Sequence, residues 1–187
     1  MNTERVSQYI ESFHYQDFKA GLDKISSHVE NSDEFHMALY YASLVSMMEK
    51  YLFDVFITEI EGDLSAFLRM CSMDKYANQT FKLPQILHGN IRNHVINSVK
   101  SMVWHRLNDV DPLYKKVFGF GLNISRSLTG IIEVRHDIVH RNGFTLAREA
   151  IQLNREMLTG AITNLERFIH DVDTKYSAYK NCPSPFE

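Results

Sequence analysis

The sequence predicts an all-α fold, a multi-helix up-and-down bundle that forms a single domain over residues 1–187. Apolar residues recur at helical spacing through most of the chain, and no alternating strand pattern lasts longer than a few residues. The breaks between the periodic stretches hold Asn, Asp, Gly and Pro, which start and end helices. With 187 residues, 44% of them apolar, the chain can bury a core without disulfides or metal.

Residues 1–34 are predicted to form an N-terminal helical extension, with a break around Tyr15 to Phe18. Its apolar residues at helical spacing are Val6, Ile10, Phe13, Leu22, Ile25 and Val29. A turn and N-cap cluster, Asn31 to Asp33, then predicts the start of a long helix through residues 34–61. The apolar stripe of this helix, which we expect in the core, consists of Tyr41, Val45, Met48, Leu52, Val55 and Phe56.

The second half of the chain predicts four further helices after a polar loop at residues 74–80. Pro84 suits the first turn of a helix through residues 85–107. Asp111 is expected to cap a short helix, with Pro112 at its first position and Gly119 or Gly121 at its end. A helix is predicted over residues 124–141, and Asn142-Gly143 is expected to end it. Thr145 is expected to cap a last helix, which runs through residues 150–172. Residues 177–187 predict a flexible tail.

Composition excludes several classes of protein. The two cysteines, Cys71 and Cys182, form neither a CxxC pair nor a zinc framework, so we expect a reducing compartment, the cytoplasm. The first eighteen residues lack the apolar core of a secretion signal, and no segment is long and uncharged enough to span a bilayer. The sequence therefore predicts no membrane partner, and it contains no glycine motif for a nucleotide cofactor.

Charge is distributed unevenly along the chain. Residues 89–155 hold ten Lys/Arg and five Asp/Glu, a balance of +5, whereas residues 1–88 have a balance of −6 and residues 156–187 one of −2. A basic segment can create a local field that attracts phosphates, and it can equally be scatter over solvated helix faces. The net charge of −3 by itself argues weakly against a nucleic-acid partner.

One arginine lies where an apolar residue is expected. Arg135 falls at the centre of an apolar face formed by Leu128, Ile131, Ile132, Ile138 and Val139. Burying it unpaired would cost several kcal/mol, so it needs a carboxylate, a bound anion or a position where the stripe opens to a cleft. Glu49 lies within the stripe of its own helix, and we hypothesise that it pairs with Arg135.

Two histidines flank the arginine on the same helix. His136 and His140 are four residues apart and therefore lie about 40° apart around the helix. They can be ordinary hydrogen-bonded residues, metal ligands, or acid–base groups that act on a phosphate held by an arginine. The sequence shows no third metal ligand, and Asp137 replaces the glutamate of an HExxH motif, so we expect no metal.

The stretch RHDIVHRNG resembles the Arg-x(4–6)-His motif of the HEPN superfamily, in which Asn, Asp or His usually follows the arginine, as His136 does here. As in that family, the motif is in a late helix, and a helix similar to SLVSMMEKYLFDVF precedes it. The stretch WHRLNDVDPLYKKVFGFGL is most similar to the RiboL-PSP-associated branch. The resemblance covers residues 35–175, the HEPN-like core.

The resemblance implies a metal-independent endoribonuclease without cofactors, commonly a toxin or an antiviral effector against phage. It implies RNA as substrate, a homodimer whose motif helices face each other, and, for a toxin, an antitoxin protein as partner. In that mechanism His140 takes the proton from a 2′-hydroxyl, His136 or a second copy of His140 protonates the leaving oxygen, and Arg135 stabilises the phosphoryl charge. Arg141 is a candidate RNA contact, and Asp137 orients a histidine or caps the polar face.

Two other functions remain open on the sequence. In the first, the HEPN-like helices form a non-catalytic dimerisation or protein-binding module, in which Arg135 and His140 are structural. In the second, the chain binds RNA or nucleotides without cleaving them, and that binding would be sensitive to salt.

Overall fold

The computed structural model describes residues 9–181, except for the side chains of Gln85 and His88, and this part of the chain is mainly helical. It contains no β-strand, only an isolated antiparallel bridge between Phe144 and Ala150. The all-α prediction is therefore confirmed. In chain order the α-helices are α1 (Phe13–Ser26), α2 (Glu34–Gly62), α3 (Leu64–Cys71), α4 (Asp74–Ala77), α5 (Leu83–His88), α6 (Ile91–Lys100), α7 (Leu107–Phe118), α8 (Arg126–Arg141) and α9 (Arg155–Lys180).

The described part of the chain divides into two compact units, the first comprising residues 9–51 and 123–181 and the second residues 52–122. Within residues 9–181, no helix is long and apolar enough to cross a membrane.

In the first unit, α9 packs against both α1 and α8. One face of α1 is buried along its whole length, which explains why the break predicted at Tyr15 to Phe18 is wrong: both residues contribute to the core and the helix continues through them. Ser12 caps this helix, since its side chain accepts a hydrogen bond from the Tyr15 amide. Val6, the first residue of the predicted stripe, lies outside the described residues.

The long helix α2 begins where the sequence predicts. The Asp33 side chain accepts a hydrogen bond from the His36 amide at 2.9 Å, as an N-cap residue does. The six stripe residues predicted for the core are all buried: Tyr41, Val45, Met48, Leu52, Val55 and Phe56.

In the second unit α3 packs against α7, and the rings of Phe56, Trp104, Tyr114 and Phe118 form an aromatic cluster. The helix predicted over residues 85–107 is in fact two helices, because Asn90 caps α6 through a hydrogen bond from the Asn93 amide. Part of the predicted polar loop forms the short helix α4.

Helix α7 begins earlier than the sequence predicts. Its buried stripe starts at Leu107, and Pro112 lies inside the helix instead of at its first position. Asp111 does not cap it; its carboxylate accepts a hydrogen bond from the Leu122 amide at 2.8 Å. The predicted stop is confirmed, since Gly119 ends the helix with a left-handed φ of 80°.

The last helix begins five residues later and ends later than predicted. Residues 144–154 form a loop, and Asn154, not Thr145, caps α9 by accepting a hydrogen bond from the Met157 amide at 2.8 Å. At the other end, α9 includes residues 177–180 of the predicted tail because Tyr176 and Ser177 are buried. The rest of the predicted tail, residues 182–187 with Cys182, lies outside the described residues.

A buried carboxylate joins three segments of the first unit. Asp173 on α9 is fully buried, and its oxygens accept hydrogen bonds from the hydroxyls of Tyr9 and Tyr51, both at 2.8 Å. They also accept from the backbone amide and the hydroxyl of Ser12. Because a buried charge must be compensated, these four donors are what allows Asp173 to stay in the core.

Candidate functional site

The motif residues lie on the last two turns of α8, whose ends are fixed by local sequence. The Ser125 side chain caps its start by accepting a hydrogen bond from the Leu128 amide. At its end Asn142 adopts a left-handed φ of 52°, followed by Gly143 at 83°, and the Gly143 amide donates to the carbonyl of Asp137. The stop predicted at Asn142-Gly143 is therefore confirmed, and it places the motif beside a helix terminus.

The apolar face of α8 is buried only in its first half. Leu128 and Ile131 are buried, Ile132 and Ile138 are half-buried, and Val139 is 47% exposed. The stripe predicted from the sequence therefore opens to the surface at its C-terminal end, which was one of the three ways in which Arg135 could be accommodated.

The structure brings Arg135 and Glu49 together as hypothesised. One guanidinium nitrogen, Nη2, lies 3.8 Å from the Glu49 carboxylate oxygen Oε2, and the two side chains are 15% and 21% exposed. The Nε of Arg135 is buried and has no hydrogen-bond partner. At 3.8 Å the pair gains Coulomb energy but is too long for a strong hydrogen bond, so Glu49 compensates the arginine only in part.

The two histidine rings are adjacent, as their spacing predicts. The ring centroids of His136 and His140 are 4.6 Å apart with a 48° angle between planes, and His140 is exposed whereas His136 is half-buried. Desolvation lowers the pKa of His136 below its usual value, and the charges of Arg141 and His140 lower it further. This shift favours the neutral imidazole of His136 at pH 7, and a neutral ring has a nitrogen that can accept a proton.

Asp137 pairs with Arg141 one turn further along the helix. Arg141, the predicted RNA-binding arginine, is therefore already in an ion pair, and its side chain is 31% exposed. The ion pair agrees with the polar-face role considered for Asp137.

Within residues 9–181, no group of three or more His, Cys, Asp or Glu side chains is placed to hold a metal ion.

An open groove adjoins the end of the motif helix, and sequence reasoning missed it. Its volume is about 670 Å³, and it lies between the start of α2, the end of α8 and the loop 144–154. Its lining is mainly apolar and includes Phe35, Leu39, Ile138, Phe144 and Leu153. Of its loop residues, Ala150, Ile151 and Leu153 lie within the predicted last helix, residues 150–172, so their apolar character was attributed to the wrong element.

Comparisons of the chain with protein-family models, with curated proteins and with solved structures found no match.

Proposed function

We propose that this chain is a metal-independent endoribonuclease, acting in the manner of a toxin or an antiviral effector. One observation carries the proposal: a half-buried arginine, compensated only in part by a carboxylate at 3.8 Å, lies on the same two helical turns as a pair of adjacent histidines, one of them with a lowered pKa. Proton acceptors and a guanidinium beside one phosphate are what a 2′-hydroxyl attack needs.

In the reaction, His140 removes the proton from an RNA 2′-hydroxyl, and that oxygen bonds to the adjacent phosphorus. The bond from phosphorus to the 5′-oxygen breaks, and a protonated histidine gives its proton to the leaving oxygen. The products are a 2′,3′-cyclic phosphate and a 5′-hydroxyl. DNA resists cleavage because it lacks the nucleophile.

A second copy of the chain would supply the acid. The lowered pKa of His136 leaves little of this residue protonated at pH 7, so we assign the acid to His140 of a second copy. Arg135 and His140 are five residues apart, about 140° around the helix, and do not naturally converge on one atom. A twofold axis beside α8 would bring two arginines and two histidine pairs around one phosphate.

The test is cleavage of mixed tRNA and a generic mRNA by purified protein in EDTA, comparing wild type with His140→Ala and Arg135→Ala. His28→Ala and Arg167→Ala replace exposed residues elsewhere and serve as matched controls. Circular dichroism and size-exclusion chromatography first establish that all variants are folded and share one oligomeric state. We expect cyclic-phosphate ends from wild type and both controls, and none from the motif variants. Intact RNA with wild type, or unchanged cleavage by His140→Ala, would refute the proposal.

A non-catalytic interaction module is the second candidate. The contact between Glu49 and Arg135 favours it, because the arginine would then be a structural pairing residue. In that case no RNA is cut, and Arg135→Ala and His140→Ala disturb stability or self-association instead.

A further inference from the structure

The groove at the end of α8 has no role in the reaction described above. We propose that it is a nucleobase subsite, which holds an unpaired base next to the phosphate that is cleaved. This inference rests on the proposed function and specifies its substrate as single-stranded RNA.

The groove has exposed aromatic rings, on which unpaired bases can stack. Phe35 is 68% exposed, Phe144 is 45% exposed, and both line it. Exposed aromatic rings are the usual platforms on which single-stranded bases stack, and stacking tolerates different sequences because every base has a flat face. A volume of about 670 Å³ with an apolar lining and few polar groups falls within the usual range for small-ligand sites.

The charges around the groove select a base over a phosphate. Among the described residues, none of the lining side chains is a lysine or arginine, and the lining includes the acidic residues Asp33 and Glu34. Hydrogen bonds from the backbone and side chain of His36 lower the pKa of Asp33, so this carboxylate stays ionised at neutral pH. Carboxylates repel phosphate but accept hydrogen bonds from ring N–H and amino groups, as they do with cytosine amines in DNA complexes.

The groove and the motif are contiguous along α8. Ile138, in the lining, is three residues from Arg135, about 4.5 Å along the helix axis. Asn142, also in the lining, is two residues from His140, and its side-chain amide can both donate to and accept from a base edge. A nucleotide with its phosphate at Arg135 would therefore have its neighbouring base at the mouth of the groove.

The test compares Phe144→Leu and Phe35→Leu with wild type, because leucine keeps apolar bulk and removes the aromatic face. Phe13→Leu is the matched control, since Phe13 is 77% exposed on α1 and outside the groove lining. Cleavage of short single-stranded RNAs gives kcat, KM and base preference. We expect the groove variants to raise KM several-fold with kcat nearly unchanged. We also expect them to weaken a preference for amino-bearing bases over uracil, as should Glu34→Gln.

A second readout does not depend on cleavage. A 2′-O-methyl RNA containing 2-aminopurine lacks the nucleophile, and its fluorescence decreases when the base stacks on an aromatic ring. We expect quenching with wild type and Phe13→Leu and much less with Phe144→Leu. Quenching without any cleavage of normal RNA would support the subsite and refute the ribonuclease.

Two outcomes overturn the subsite itself. If wild type cuts RNA but Phe144→Leu matches Phe13→Leu in KM, base preference and quenching, the groove does not bind bases. If instead Phe144→Leu and Phe35→Leu change the oligomeric state in light scattering while RNA binding is unaltered, the groove is a protein-binding surface.

Discussion

Replacing Asp173 by alanine should strongly destabilise the first unit. The carboxylate is fully buried and accepts four hydrogen bonds, so its removal takes the acceptor away from all four donors at once. The donors of Tyr9 and Ser12 are only part-buried and can turn to water. The hydroxyl of Tyr51 cannot, because that residue is 2% exposed.

The magnitude follows from these differences in exposure. A hydrogen bond to a charged group contributes about 1.5–3 kcal/mol, and a buried polar group left without a partner costs about 1–3 kcal/mol. In Asp173→Ala the hydroxyl of Tyr51 would stay buried without an acceptor, and the three donors of Tyr9 and Ser12 would exchange a charged acceptor for water. We therefore expect the substitution to lower the free energy of unfolding by about 3–5 kcal/mol. Tyr51→Phe removes one donor of four and should cost about 1–2 kcal/mol.

The assay is urea unfolding at pH 7, followed by far-ultraviolet circular dichroism. Asp171→Ala is the matched control, because Asp171 lies two residues earlier on α9 and is partly exposed, where it pairs with Lys175 and accepts a hydrogen bond from the Asn123 side chain. Surface ion pairs contribute at most about 1 kcal/mol. If Asp173→Ala and Asp171→Ala lose the same stability, the reasoning that the buried network holds the N-terminal segment to α9 is wrong.

Three further predictions concern other features of the first unit. A double-mutant cycle on Glu49→Ala and Arg135→Ala should give a coupling of about 0.5–1.5 kcal/mol, and additive effects would exclude a direct interaction. Asn142→Ala should cost about 1 kcal/mol because alanine resists the left-handed conformation at φ 52°, whereas Asn142→Gly should be neutral or stabilising in the same urea assay. Burial raises the pKa values of Tyr15 and Tyr41 to about 12. Since unfolded tyrosine titrates near pH 10, stability should be full below about pH 10 and fall as the pH approaches 12. Urea midpoints measured across that range that do not fall would contradict the burial of these phenols.

Features set by neighbouring residues were predictable from the sequence. Asp33 before α2 and Asn142-Gly143 after α8 act through hydrogen bonds and backbone conformations that span only a few residues. The apolar stripe of α2 was predictable for a similar reason, because its helical spacing is a property of that segment alone. Local chemistry of this kind can be recognised without knowing what packs against the helix.

Features that depend on distant segments were not predictable in the same way. The loop after α8 has helix-like apolar spacing, yet the Thr145 amide donates to the carbonyl of Glu149 and the Ile151 amide to that of Gly143, which closes it on itself. The groove next to this loop also needs the start of α2, more than a hundred residues earlier. No short-range pattern specifies such an arrangement.

Asp173 could have been identified from the sequence in the same way as Arg135, as a charged residue on an apolar helix face. It lies among Ile169, Val172 and Tyr176, which define the buried face of α9, so it is a charge inside an apolar stripe. Its donors would still have remained unknown, because Tyr9 and Tyr51 are 164 and 122 residues away.

The two charges in apolar stripes are compensated to different degrees, and this difference bears on function. Asp173 is fully buried and accepts from four donors, so its surroundings already account for its charge. Arg135 has one carboxylate oxygen at 3.8 Å and a buried Nε without a partner, at the point where the face of α8 opens to the surface. Because an incompletely compensated guanidinium attracts a further anion, Arg135 has the surroundings of an anion-binding residue, whereas Asp173 has those of a structural one.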